Sequence, residues 1–362
     1  MTFPVKLTRR RFLQGSVAGS LALAGFAPAH AQAAKPMRTS RQANVKKIWS
    51  IAFSPDGRTI VSGSSSAGFS GGRIINGSIN FWEVSTGKSL RTAEPTSSLD
   101  IYSVAFSPDG ATVLSGGRLA ARVDLWNVAT RGHLRTFKEP GSELSHEQAG
   151  EIRSVAFSPD GRSALSASRE INLWDVATGS LIRTFGEGSP LRSIAFSPDG
   201  RTALSGGFGD DALMLWDLAT GEELRTFKTS SYNALSVAFS PDGRTALSGG
   251  FAGDYVSSLT LWDVATGDLI RSFGGDSAGH ATTVNSVAFS PDGRTALSGG
   301  GGPGEWLERD TTLRLWEVAT GKVLRTFEGH PDSINSVAFS PDGTTALAAS
   351  GNEIWQWDLT RP

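Results

Sequence analysis

The sequence predicts an all-β fold made of seven copies of one small four-stranded sheet. Three observations carry that expectation. The hexapeptide Ala-Phe-Ser-Pro-Asp-Gly occurs seven times, starting at Ala52, Ala105, Ala156, Ala195, Ala238, Ala288 and Ala338. A tryptophan follows each copy: Trp82, Trp126, Trp174, Trp216, Trp262, Trp316 and Trp357. Around these markers the chain reads in two-residue steps, and turn signals close each run.

The sixth copy shows the unit. Run a is Val284–Ser290, closed by Pro291-Asp292-Gly293. Run b is Thr295–Ser298, closed by glycines. Run c is Leu313–Val318, closed by Ala319-Thr320-Gly321. Run d is Val323–Phe327, closed by Gly329-His330. Proline presets φ in the a–b turn and glycine ends it. In run a of the seventh copy, Ser336 and Ala338 alternate with Val337 and Phe339. Small residues on one face and large ones on the other suit a sheet packed on both sides. Such a sheet must stack against copies of itself. The copies start 39 to 53 residues apart, and the shortest spacing is close to the ~40–45 residues of a propeller blade.

Leu-Trp-Asp recurs at Trp174, Trp216 and Trp262, and Leu-Trp-Glu at Trp316. On these motifs the chain from about residue 36 onward resembles the WD40 family. The resemblance implies a seven-bladed β-propeller, assigned here to residues 35–362 as one domain. The last repeat has runs a, b and c and no run d. The other runs d carry Leu-Arg-Thr or a close variant, at Arg91, Arg135, Arg183, Arg225, Arg271 and Arg325, and Met37-Arg38-Thr39 repeats that signature ahead of the first run a. Residues 36–41 are therefore expected to supply the outer strand of the last blade, leaving no open edge. Counting across the c–d turn pairs Val318 with Val323 and sets Trp316 against Arg325. That register predicts a ring of Trp–Arg cation–π pairs, each worth ~0.5–1 kcal/mol, with Trp357 taking Arg38.

Residues 1–34 read as a signal peptide and linker. A basic start at Lys6, Arg9, Arg10 and Arg11 precedes a weakly apolar stretch rich in Gly and Ala, then A-x-A cleavage options near Ala31 or Ala33. Thr8-Arg9-Arg10-Arg11-Phe12-Leu13 is similar to the twin-arginine export signal of bacteria, which implies a periplasmic destination. A spanning helix needs ~20 apolar residues, so no membrane span is expected. The chain has no cysteine, which excludes a disulfide framework and a lipid anchor. Residues 1–31 hold four basic and no acidic side chains, so the remainder carries a net charge of −5. A mildly acidic, monomeric propeller is a poor nucleic-acid binder.

Comparing the copies with one another locates a candidate surface. Extra residues lie between runs b and c (62–78, 249–258 and 299–310) and between runs d and a (139–150). In an up-and-down blade these two loop classes share one face, which suits a binding face on a rigid scaffold. The second residue of run a also varies: Trp49, Tyr102, Arg153, Arg192, Leu235, Asn285 and Asn335. The serine after it is the same in every copy. Aromatic residues and arginine anchor protein interfaces, so Trp49, Tyr102, Arg153 and Arg192 are candidate partner-binding residues. Trp306, Phe208, Phe251 and Tyr255, in or beside loops of that face, join them.

Catalytic chemistry is missing from the sequence. There is no HExxH, no paired cysteine and no phosphate loop. Asp210, Asp211 and Asp254 read as solvated loop acids, so no metal site is expected, and no cofactor. The family resemblance implies a structural tetrad of Asp310, His280, Ser298 and Trp316, which imitates a catalytic triad without a nucleophile elbow. Repeat seven keeps His330 but has Ala348 and Gly351 at the matching Ser and Asp positions, and the other repeats lack the His. The expected function is an exported, non-catalytic scaffold for a protein or peptide. The alternative is a propeller enzyme, similar to lactonases or quinoproteins, with a metal or cofactor in the channel.

Overall fold

The computed structural model describes residues 36–42, 47–65, 68–70, 73–75, 77–93, 100–118, 122–138, 150–186, 190–209, 212–228, 233–251, 257–274, 279–302 and 310–361. The leader, Tyr255, Trp306, and Asp210, Asp211 and Asp254 lie outside these residues. Among the described residues every regular element is a strand, and no helix is long and apolar enough to cross a membrane.

Seven four-stranded antiparallel sheets follow one another along the chain. Blade one consists of strands Ile48–Phe53, Thr59–Ser64, Ile79–Glu83 and Ser89–Ala93, called a to d. Blade six repeats the plan with Thr283–Phe289, Thr295–Gly301, Leu313–Glu317 and Val323–Phe327. The b–c insertion of blade one carries a small extra ribbon, Gly68–Ser70 paired with Arg73–Ile75. Blade seven has Ile334–Phe339, Thr345–Ser350 and Glu353–Asp358, and its fourth strand is Arg38–Arg41 from the other end of the chain. The expected closure is therefore observed. Arg41 clamps it with two bonds to Glu353, Nε at 2.9 Å and Nη2 at 2.6 Å.

The core lies between blades. Seven buried clusters each join two neighbours, and the seam is one of them: Ile48, Ile51, Ile60 and Trp82 of blade one pack on Leu347, Ala349 and Ile354 of blade seven. In five of the joints, the strand-d phenylalanine of one blade meets the strand-c tryptophan of the next. Phe327 and Trp357 are one such pair, with ring centroids 5.0 Å apart; the others are Phe137–Trp174, Phe185–Trp216, Phe227–Trp262 and Phe273–Trp316.

Each Ser-Pro-Asp-Gly turn is locked twice. Ser54 Oγ donates to Asp56 Oδ1 at 2.6 Å and accepts from the Thr59 N–H at 2.9 Å. Gly57 has φ of 69°, which glycine adopts without strain. The serine hydroxyl is the main reason the Asp56 carboxyl is held below its ordinary range, and the same shift recurs in all seven turns.

The expected Trp–Arg ring is not formed. Trp316 opposes Val323 beside the turn, and a register shift between Leu315 and Trp316 then sets Arg325 opposite Leu315. Arg38 likewise opposes Gln356, not Trp357. Val323 thus pairs with Trp316 and not with Val318: the c–d turn takes up two more residues of run c than counting allows, and the bulge gives back one. The strand-d arginines instead reach the next blade and donate to backbone carbonyls of its c–d turn. Arg183 bonds Thr220 and Ala219, Arg271 bonds Thr320 and Ala319, and Arg225 bonds Val264, at 2.7–2.8 Å. Arg38 carries this across the seam to Val84 at 2.5 Å. The turn glycine makes room: a Cβ on Gly221 would lie 2.8 Å from Arg183 Cδ.

Candidate functional site

The seven strands a line a central channel, and their serines tie the ring together. The Ser50 hydroxyl accepts the Val104 N–H of the next blade at 3.1 Å. Ser103, Ser154, Ser193, Ser236 and Ser286 do the same for Val155, Ile194, Val237, Val287 and Val337. Ser336 completes the circle by accepting from Ile51 of blade one at 3.1 Å. Seven equivalent bonds at 3.0–3.1 Å explain why this serine is identical in every copy.

The variable residue just before that serine has a local cause as well. In six blades the a–b pairing skips it: the register passes from Ile48 to Ser50, from Ile101 to Ser103, and likewise in blades four to seven. A bulge re-aims the extra side chain. Released from the ladder, these side chains converge on the loop-side mouth of the channel. They line a cavity of about 520 Å³ with Lys47, Phe208, Phe251, Thr283, Gly302 and Ser333. Trp49, Tyr102, Arg153, Arg192, Phe208 and Phe251, singled out from the sequence, are thus gathered in one place. Trp306 and Tyr255 lie outside the described residues. The opposite mouth is lined by seven Ala-Phe-Ser-Pro segments that are identical from blade to blade, so it offers a ligand no preferred orientation.

One side of the mouth alternates rings and cations. Lys47 Nζ stands 4.5 Å from the Trp49 ring centroid. Trp49 meets Tyr102 edge to face at 5.6 Å. The Arg153 guanidinium lies 4.2 Å from the Tyr102 centroid, and that of Arg192 lies 4.5 Å from Phe208. Such contacts contribute roughly 0.5–1 kcal/mol or more and hold the cations in place. Burial pushes the Tyr102 hydroxyl up from its ordinary value. Burial first, and then the Arg153 charge, push Arg192 down. The other side is quieter. Asn285 and Asn335 donate their amides to Ile334 O at 3.1 Å and Ile48 O at 2.8 Å, so they serve the blade joints. Leu235 adds an apolar wall beside Phe251.

Sequence reasoning missed Lys47, which precedes the repeat, and Glu151, which pairs with Arg153 and lies 3.4 Å from Arg118. Both fall outside the repeated pattern, where comparing copies has no purchase. Only charge proximity to Trp49 and Arg153 could have marked them.

The histidine networks are structural in geometry. Trp316 donates to Ser298 Oγ at 2.7 Å, Ser298 bonds His280 Nε2 at 2.6 Å, and His280 Nδ1 faces Asp310 Oδ2 at 2.8 Å. The implied tetrad is thus present as a connected chain. Ser298 is fully buried, so no substrate can reach its hydroxyl. Burial pushes His280 down. Burial also works to raise the Asp310 carboxyl, but bonds from His280 and Thr312 outweigh it and hold it well below the carboxylate range. In blades one to five the Trp–Ser half survives without the histidine, at 2.8–3.0 Å. In blade one Gln42 stands in, with bonds to Ser62, Ser64 and Ser78. In blade seven, where Ala348 replaces the serine, Trp357 donates directly to His330 Nε2 at 3.2 Å. Among the described residues no group of His, Asp or Glu could hold a metal ion.

The model of the WD40 family, described as WD domain, G-beta repeat, matches residues 35–83, 87–120, 267–317 and 321–358. A model described as eukaryotic translation initiation factor eIF2A matches residues 133–252. The chain is 31% identical over 137 residues to WD repeat-containing protein SL1-17 of Schistosoma mansoni, covering 37% of this chain and 38% of that protein. It is 33% identical over 81 residues to apoptotic protease-activating factor 1 of Homo sapiens, covering 22% of this chain and 6% of that protein. The match therefore spans well under half the length of either relative. Seven ring-closed blades, a buried tryptophan in strand c of each, and these matches together make the chain a seven-bladed β-propeller that carries WD40 repeats.

Proposed function

We propose that this propeller is an exported, non-catalytic scaffold that binds a protein or peptide segment at the loop-side mouth of its channel. The observation that carries the reading is the convergence of Trp49, Tyr102, Arg153 and Arg192, four copies of the variable second residue of run a, on one cavity. Everything beneath them is repeated and bonded: the serine ring, the Trp–Ser pairs and the locked turns. A rigid frame with a varied rim suits recognition, because little ordering entropy is lost on binding. Interfaces favour the residue types found there. The WD-repeat relative is consistent with an interaction scaffold. The twin-arginine-like leader supports delivery to the periplasm.

Affinity capture from a periplasmic extract tests the reading. The bait is the exported protein, run beside a variant with Trp49, Tyr102, Arg153 and Arg192 all changed to Ala. A protein retained by the first and lost by the second is the expected result. Equal retention by both moves binding away from the mouth and refutes the assignment.

A further inference from the structure

We infer that the mouth recognises a peptide carrying a carboxylate side chain beside a large apolar one, with Arg192 as the residue that takes the carboxylate. This deepens the peptide-docking reading and rests on it. The starting point is an imbalance of charge. Outside the leader the chain is net acidic. The rim of the mouth is not: Arg118, Arg153 and Arg192 face only Asp100 and Glu151 among the described residues.

Those two acids are already engaged. Arg118 approaches Asp100 at 3.9 Å and Glu151 at 3.4 Å, and Arg153 bonds Glu151 as well. Arg192 is left over. It is half-buried, its only recorded contact among the described residues is the ring of Phe208, and its Nε is buried with no hydrogen-bond partner. A buried N–H without a hydrogen-bond partner is costly. Folded proteins seldom keep one unless something else supplies the partner. Arg153 does not relieve it, since its charge opposes that of Arg192.

The surroundings define what the anion is attached to. Phe208, Leu235 and Phe251 form an apolar wall next to Arg192. Asn285 and Asn335 each commit one amide N–H to a carbonyl of the neighbouring blade. A planar carboxylate matches the fork of a guanidinium whose face is already stacked on a ring. The cavity of about 520 Å³ falls within the ~300–1,000 Å³ of pockets that enclose a small group of side chains. It therefore suits one acidic and one apolar residue of an extended segment.

The test pans a random-peptide display library on the immobilised full-length exported protein. Enriched sequences are resynthesised with each Glu or Asp replaced by its amide. The expected result is enrichment of an acid adjacent to Phe, Leu or Ile. Affinity should fall about tenfold or more on amidation, and equally on Arg192→Gln, as for loss of a charge-assisted bond. The two losses should not add. Arg201→Gln, in an a–b turn on the opposite face, should bind as the wild type does. Enriched peptides without an acid, bound equally by R192Q, overturn the inference and leave the peptide-docking reading intact. Arg192-dependent binding of N-acetylphenylalanine with no peptide bound overturns the peptide as the source of the carboxylate. If no peptide binds and the capture experiment above is also negative, both readings fall.

Discussion

Changing His330 to Phe isolates the one blade in which the repeated Trp–Ser bond is missing. The Trp357 indole is fully buried and its N–H donates to His330 Nε2 at 3.2 Å. That leaves the proton on Nδ1, which donates to Thr311 O at 2.9 Å. Phenylalanine keeps a ring against Trp355 and Trp357 but removes the acceptor. A buried donor left unsatisfied costs about 1–3 kcal/mol. Ala348, which pairs with Trp355 on the neighbouring strand, occupies the place of the serine used elsewhere. Ala348→Ser in the H330F background should restore an acceptor and recover about 1 kcal/mol. In the wild type the same change should matter less, because Trp357 already has a partner. Urea unfolding followed by tryptophan fluorescence measures all four proteins. A348S acting identically in both backgrounds would refute the reasoning.

The same histidine sets a pH dependence. Burial pushes His330 from 6.5 in the unfolded chain down to about 4 in the fold. Its folded value is the lower one, so the unfolded state binds more protons between the two. The stabilisation is complete above the unfolded value and is lost as pH falls toward the folded one. Between about pH 7 and about pH 5 the wild type should lose about 2 kcal/mol more than H330F. Protonation at Nε2 would also remove the acceptor of the Trp357 bond. Parallel pH profiles for the two proteins would rule this account out.

Three further outcomes follow from the same structure. Ser336→Ala deletes the bond to the Ile51 N–H and should lower stability by about 1 kcal/mol, or more if water in the channel cannot reach that donor; thermal unfolding reads it. Removing residues 36–41 opens the edge of strand Glu353–Asp358, and exposed edges pair with other chains, so size-exclusion chromatography should show self-association. Arg9→Lys with Arg10→Lys should leave uncleaved precursor in the cytoplasm, seen by fractionation; unaltered export would count against the twin-arginine reading.

Repetition made most of the fold legible before any coordinates. The hexapeptide and the tryptophan located every a–b turn and every strand c, and the Arg-Thr signature found the strand that closes the ring. Single-residue bulges were not legible. A c–d turn two residues longer than counted, together with the shift between Leu315 and Trp316, takes the strand-d arginines off the indoles, and they bond carbonyls of the next blade. The bulge at Trp49, by contrast, left a trace: a residue freed from the ladder can vary, while the serine beside it cannot. The histidine network was expected to be decayed outside repeat six, yet its Trp–Ser half persists in every blade that keeps the serine. Gln42 could not have been found, since it belongs to no repeat and acts only through the seam.

The bond between Arg41 and Glu353 joins residues 312 positions apart. Closing a flexible loop of that length costs about 5 kcal/mol in chain entropy, against about 2 kcal/mol for ten residues. Six blades are assembled from neighbours in the chain and can form as synthesis proceeds. The seventh has to wait for strand Glu353–Asp358 to leave the ribosome. A chain cut between Ile334 and Asp358 would present six nearly normal blades and an orphaned first strand. The state of the seam therefore records whether synthesis passed the last strand c.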